Sequence, residues 1–164
     1  DFDVPECPEP YVTFIENCLA KARHASAHTG LPALADDSGI CVDALNGAPG
    51  VYSARYAGEP KSDARNNDKL VAALQGELNR RAHYYCVIVL VRYADDPEPV
   101  IAEGRWFGEI IDTPRGDGGF GYDPYFLLPH LGITGAEMDA GAKNAVSHRG
   151  QALRELAAKL KALS

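Results

Sequence analysis

Two carboxylates stand side by side at Asp36 and Asp37, between Leu34-Ala35 and a second apolar run from Ile40 to Leu45. In a strand, neighbouring side chains leave opposite faces, and a carboxylate held against a packed sheet needs a cation or hydrogen bonds. Mg2+ is one such cation, since hard divalent ions prefer carboxylate oxygens. The same four residues, Asp36-Asp37-Ser38-Gly39, are equally good turn chemistry. A metal site and a turn both stand as readings. Glu9 is a further acid, in a Pro- and Glu-rich opening stretch, and the sequence gives it no structural duty.

Two other stretches carry groups that could meet a ligand. Thr113 to Pro124 (TPRGDGGFGYDP) sets Phe120, Tyr122 and Asp123 among glycines. Glycines let backbone approach a ligand closely, and the aromatics offer a face for a flat group with Asp123 as an acceptor. A packed surface loop is the other reading. Near the C-terminus, His148 and Arg149 fall in the first turn of a helix capped by Ser147, with Lys143 just upstream. Cations there oppose the helix macrodipole unless an anion binds. The alternative is tolerated charge on a wet surface.

The elements that must position these groups follow from periodicity and punctuation. Thr13 and Glu16 form a capping-box pattern, and Ile15, Cys18, Leu19, Ala22 and Ala25 follow at helical spacing to about His28, before Gly30-Leu31-Pro32. Asn17 and Lys21, four apart, are expected on one exposed flank. Ser62 caps a second helix to about Leu78, with Leu70, Leu74 and Leu78 on one row. His83 to Tyr93 is apolar nearly throughout and predicts a strand buried on both faces. Val100 to Asp112 predicts an antiparallel neighbour with bulges or bends at Gly104 and Gly108. Tyr125 to Leu128 predicts a short strand. The last helix is expected to bury Leu153, Leu156, Ala157, Leu160 and Leu163.

The 164 residues suit one domain of the α/β class, and the formal net charge of −7 argues against a nucleic-acid or anionic-membrane partner. No apolar run is long enough to span a bilayer. The four cysteines show no C-x-x-C pair, which fits free thiols in a reducing cytoplasm. The opening Asp-Phe-Asp leads to the expectation that an upstream piece precedes this sequence. An acidic corner for a divalent ion, an aromatic loop for a planar group and a basic helix start for phosphate together describe a nucleotide site.

The stretches ADDSGICVDALNGAPGVYSARYAG, GGFGYDP and SHRGQAL, in that order, closely resemble the inosine/xanthosine triphosphate pyrophosphatases of bacteria. The resemblance runs from about Glu9 to the C-terminus. It implies a single domain over residues 1–164, with an elongated mixed β-sheet, flanking helices and two lobes around a central cleft, usually as a homodimer. It implies Mg2+-dependent hydrolysis of dITP, ITP or XTP to monophosphate and pyrophosphate, with Asp37 as general base and metal contact. Asp36 and Glu9 would lie by the metal. Ser38, Lys21, Phe120, Gly121, Tyr122, Asp123, Lys143, His148 and Arg149 would contact substrate, His148 and Arg149 reading the purine 6-oxygen. The acid pair and that purine-reading wall are expected to share one cavity. The family's opening strand and Thr/Ser-x-Asn-x-x-Lys loop have no counterpart here, and Ala142 stands where relatives often have Glu. A pyrophosphatase for other modified nucleotides and a non-catalytic nucleotide-binding module are the competing readings.

Overall fold

The computed structural model describes residues 2–164. Helix α1 (Phe14–Thr29) opens on Thr13, whose hydroxyl accepts from the Glu16 amide at 3.2 Å and donates to Glu16 Oε1 at 2.6 Å. It closes on Gly30, whose φ of 69° is the left-handed conformation that glycine supplies without steric cost. Asn17 and Lys21 do share a flank, but it is not an exposed one. Asn17 is buried and grips Tyr11 through both main-chain groups, accepting from the Tyr11 amide at 3.0 Å and donating to its carbonyl at 3.1 Å. His24, one turn further on, lies 2.7 Å from the Pro5 carbonyl. One stripe of α1 therefore holds the opening segment in place, and Glu9 with it.

Strand β1 (Ala33–Val42) runs unbroken through Asp36 to Gly39, which corrects the turn reading. Its ladder with β2 (Arg81–Val91) is continuous from Ala33↔Val91 to Val42↔Ala82. Gly39 serves close packing here: a Cβ would sit 2.5 Å from the Gly50 carbonyl oxygen and 2.6 Å from Ser53 Oγ. Both belong to a short 3-10 helix, Gly50–Arg55, that presses on the strand.

Helix α2 (Asp63–Ala73) starts at Ser62, whose hydroxyl accepts from the Arg65 amide at 3.3 Å. Leu70 and Leu74 are fully buried, but Leu78 is 95% exposed. The helix ends at Ala73 and the chain reverses at Gly76, with φ 79°, before the leucine row can continue.

Strand β3 (Val100–Ile110) pairs with β2 in unbroken antiparallel register, so Gly104 and Gly108 are not bulges. They are places of close approach. A Cβ on Gly104 would lie 2.0 Å from the His148 carbonyl oxygen, and one on Gly108 2.7 Å from the Phe126 ring. Short strands β4 (Phe126–Leu128) and β5 (Ile133–Thr134) complete a sheet of order β1-β2-β3-β4-β5. All four neighbouring pairs are antiparallel.

Ser147 ends α3 (Ala140–Val146) and caps α4 (His148–Leu163), its hydroxyl accepting from the Gly150 amide at 3.1 Å. The buried face of α4 is narrower than expected: Ala152 and Leu156 are buried, whereas Leu153, Leu160 and Leu163 are 50%, 39% and 72% exposed. A polar stripe sets this rotation. Gln151 donates to the Arg105 carbonyl at 2.7 Å, Glu155 accepts from the Glu103 amide at 2.7 Å, and Lys159 donates to the Ile101 carbonyl. These side chains satisfy main-chain groups of β3 where no strand pairs with it, and the leucines turn outward.

Strand alternation divides the core. Tyr85, Val87, Val89 and Val91 face α1, with Cys18 and Ala22. Cys86 and Ile88 face α4, with Ala152 and Leu156. Further along that second face, Tyr84 and Ala82 join Ile40, Leu70, Trp106, Tyr122 and Phe126 under α2. The α4 core and the α2 core thus adjoin on one face of the same strands.

Candidate active site

A cavity of about 200 Å3 opens where those two cores meet. Ser38, Tyr84, Phe120, Gly121, Tyr122 and His148 line it, together with Ser53 and Asp63. Four of the predicted ligand contacts, Ser38, Phe120, Gly121 and Tyr122, are therefore brought together with a fifth, His148. Tyr122 is buried and donates to the Ser53 carbonyl at 2.6 Å, whereas Phe120 is 68% exposed at the rim.

Asp123 is not a free acceptor for a ligand. It is buried behind the loop and accepts from Tyr84 Oη at 2.9 Å, from the Phe120 amide at 3.0 Å and from Lys143 Nζ at 2.5 Å. The loop is bent around this carboxylate, and Gly119 beside it has φ 69° and no room for a Cβ. Lys143 also lies 4.6 Å from the Phe120 ring centroid, a cation over an aromatic face. Asp123 and Lys143 thus shape the loop from behind and from the side.

His148 stacks on Tyr84 with ring centroids 4.8 Å apart and 11° between planes. It is 8% exposed, and its Nδ1 has no hydrogen-bond partner. Burial, reinforced by the nearby Arg149 charge, pushes its pKa down from 6.5 to about 4. The ring is therefore neutral near pH 7, which removes one of the two cations expected to oppose the α4 dipole. The other, Arg149, is balanced by Asp36, to which it donates at 2.7 Å.

The two acids part company here. Asp36 leaves the face of β1 that carries α4, where it meets Arg149. Asp37 leaves the face that carries α1 and lies 3.6 Å from Lys21 Nζ. The same ammonium is 2.8 Å from Glu9 and donates to the Asp36 carbonyl at 2.8 Å. The expectation that both carboxylates hold one ion and face the purine-reading wall together is corrected: strand alternation sends them to opposite sides. Glu9 gains the duty the sequence did not name, and Lys21 is a half-buried hub between acids. Burial raises the Asp37 pKa; Lys21 pulls it back and Glu9 pushes it up again. For Lys21, burial works against the charge, but the Glu9 hydrogen bond and the Asp37 charge leave its pKa above the ordinary value.

Asp37 and Glu9 offer oxygen donors of the kind a hard divalent ion takes. Among the described residues no three His, Cys, Asp or Glu side chains converge as a metal cluster. Two carboxylates suit Mg2+ when water and phosphate oxygens supply the remaining ligands.

Sequence reasoning missed Tyr84, Ser53, Asp63 and Asn67 around the cavity. Only Asn67 left a trace: Asn66-Asn67 is a pair of poor helix formers inside a helix, and both are buried.

A family model described as the Ham1 family matches residues 1–159. A relative from Chromobacterium violaceum, called dITP/XTP pyrophosphatase, is 72% identical over 164 residues, covering 100% of this chain and 83% of that protein. One from Ralstonia nicotianae with the same name is 66% identical, covering 98% and 82%. A solved HAM1 protein from Coxiella burnetii superposes with a TM-score of 0.95 at 51% identity, over 98% of this chain and 82% of that one. With its sequence matched almost end to end and its fold reproduced, this chain belongs to the Ham1 family.

Proposed function

We propose that the chain hydrolyses deaminated purine nucleoside triphosphates, dITP, ITP or XTP, to the monophosphate and pyrophosphate. Two relatives named dITP/XTP pyrophosphatase at 66–72% identity support the reaction class. The observation that favours a 6-oxygen over adenine's 6-amino group is neutral His148, which lines the aromatic cavity and whose buried Nδ1 has no partner. With its proton on Nδ1, the ring donates to a 6-oxygen; an adenine amino group would leave donor against donor, and buried unmatched polar groups are costly.

Phe120 and Tyr122 flank the base, and Arg149, next to His148 in sequence and held by Asp36, adds a donor although it does not itself line the cavity. Ser38 faces the cavity while Asp37, the next residue back, faces Lys21 and Glu9. Consecutive Cα atoms are about 3.8 Å apart. A nucleotide with its base in the cavity reaches Asp37 by carrying its phosphates past β1, from Ser38 on one face to Asp37 on the other. Asp37 accepts the proton of the attacking water, and its raised pKa makes the carboxylate a stronger base. Lys21 holds Asp37 and Glu9 in place and offers its charge to phosphate. Asp37 and Glu9 would hold Mg2+, which supplies charge neutralisation for the triphosphate and the leaving pyrophosphate. Asp36 belongs to Arg149 in this scheme and not to the ion. A homodimer acting on the cytoplasmic nucleotide pool belongs to the same reading.

The test is pyrophosphate release from ITP, dITP, XTP, ATP, GTP and dTTP with Mg2+, by the native chain and Asp37→Asn. ITP, dITP and XTP are expected to have kcat/KM at least about 100-fold above ATP, and GTP, which shares the 6-oxygen, reports whether the 2-amino group is refused as well. Asp37→Asn should lower kcat by about 100-fold or more with the fold retained. Turnover of ATP or dTTP equal to that of ITP overturns the substrate; a normal rate in Asp37→Asn removes Asp37 from its role.

A further inference from the structure

Two side chains of helix α2 take hold of both main-chain groups of one residue of the aromatic loop. Asp63 and Asn67 are four apart and so project from one flank of the helix. Asp63 Oδ2 accepts from the Gly121 amide at 3.0 Å, and Asn67 Nδ2 donates to the Gly121 carbonyl at 3.0 Å. Gly121 sits at φ 61°, between Phe120 and Tyr122, so its peptide orientation sets where both rings point. Asn67 is buried, and its Oδ1 has no partner. A buried amide that leaves one group unsatisfied is a costly way to fill a helix position, which argues that the bond it does make is what retains it. The neighbouring Asn66 holds the opposite wall, donating to the Ala54 carbonyl at 3.0 Å and accepting from the Ala57 amide at 2.7 Å.

We propose that Asp63 and Asn67 are positioning residues for base recognition: together they fix the Gly121 peptide and thereby hold Phe120 and Tyr122 at the spacing that a purine requires. The inference rests on the pyrophosphatase reading and adds to it the helix that sets base affinity. It assigns α2 to substrate binding and leaves the chemical step to β1 and α1.

Steady-state constants for ITP and ATP with the native chain, Asn67→Ala, Asp63→Ala, Asp63→Asn and Asp68→Ala test it, alongside amide exchange at Gly121. The native chain must first prefer ITP; if it does not, the pyrophosphatase reading fails before the clamp is at issue. Given that preference, Asn67→Ala and Asp63→Ala should raise KM for ITP about tenfold and change kcat less than about twofold, with the ITP:ATP preference falling. Asp63→Asn keeps an oxygen acceptor and should recover most of that loss. Asp68→Ala, on the same helix but away from the loop, should leave both constants unaltered. Should Asn67→Ala fail to fold, Asp63→Ala at the helix start carries the same expectation. Unchanged KM in a folded variant whose Gly121 amide exchanges faster overturns the proposal, and so does a fall in kcat at constant KM.

Discussion

Lys21 reaches Glu9, Asp37 and the Asp36 carbonyl with one ammonium, so three acceptors share a charge that is itself half-buried. Removing it would leave two carboxylates facing each other without a counter-charge, a more expensive state than losing a surface ion pair. His148 is the opposite case, a titratable ring kept neutral by burial. Its pKa of about 4 lies below the unfolded value of 6.5, so the unfolded chain binds the extra proton first. Its contribution to stability is complete above pH 6.5 and is lost as pH falls from there to about 4. Between pH 7 and 5 the loss is about 2 kcal/mol. Urea unfolding at those two pH values should show it, and the pH dependence should shrink by about that amount in His148→Gln, leaving the smaller part carried by groups such as His83, which burial also holds below its ordinary pKa. An equal pH dependence in both proteins would mean that other groups carry it.

Between elements, small residues decide the fit. Gly104 lets the start of α4 rest against β3, and a methyl group there would meet the His148 carbonyl, the Ala152 amide and the Gln151 Cβ within 3 Å. The first two are main-chain atoms and cannot rotate away. Gly104→Ala is therefore expected to destabilise by about 2–3 kcal/mol. It should also raise KM for ITP, because the segment that must shift carries His148 and Arg149. Denaturant midpoints and steady-state constants on the same variant check both parts. Gly150 plays a matching part between helices, its would-be Cβ lying 1.9 Å from the Asn144 carbonyl oxygen of α3.

On the scale of the molecule, the sheet separates two kinds of chemistry. One face carries Glu9, Asp37 and Lys21 beneath α1; the other carries Asp36 with Arg149 and the aromatic cavity between α4 and α2. Lys21 already bridges Glu9 and Asp37 in the protein alone, leaving one net negative charge for an ion to meet. Chelation of divalent metal should therefore abolish turnover while moving Tm by less than about 2 °C. A large fall in Tm would show that metal holds the opening segment in place, in addition to serving the reaction. The described helices include none long and apolar enough to cross a membrane.

Local chemistry was enough to read several features from the chain alone. The Thr13, Ser62 and Ser147 caps, the stop at Gly30 and the two long strands all follow from neighbours within a few residues. So did the clustering of Ser38, Phe120, Gly121, Tyr122 and His148, which the family motifs carried. What needed the tertiary structure was orientation. Asp36 and Asp37 stood between a turn and a strand, and pairing of β1 with β2 makes them strand neighbours on opposite faces. Asp123 read as a ligand acceptor until Tyr84 and Lys143, distant in sequence, were found on it. The leucines of α4 read as a core face, but its polar stripe meets unpaired main chain on β3 and turns them to solvent. Asp63 and Asn67 carried no motif, because a grip on main chain 54 or more residues away is set by packing and not by local pattern.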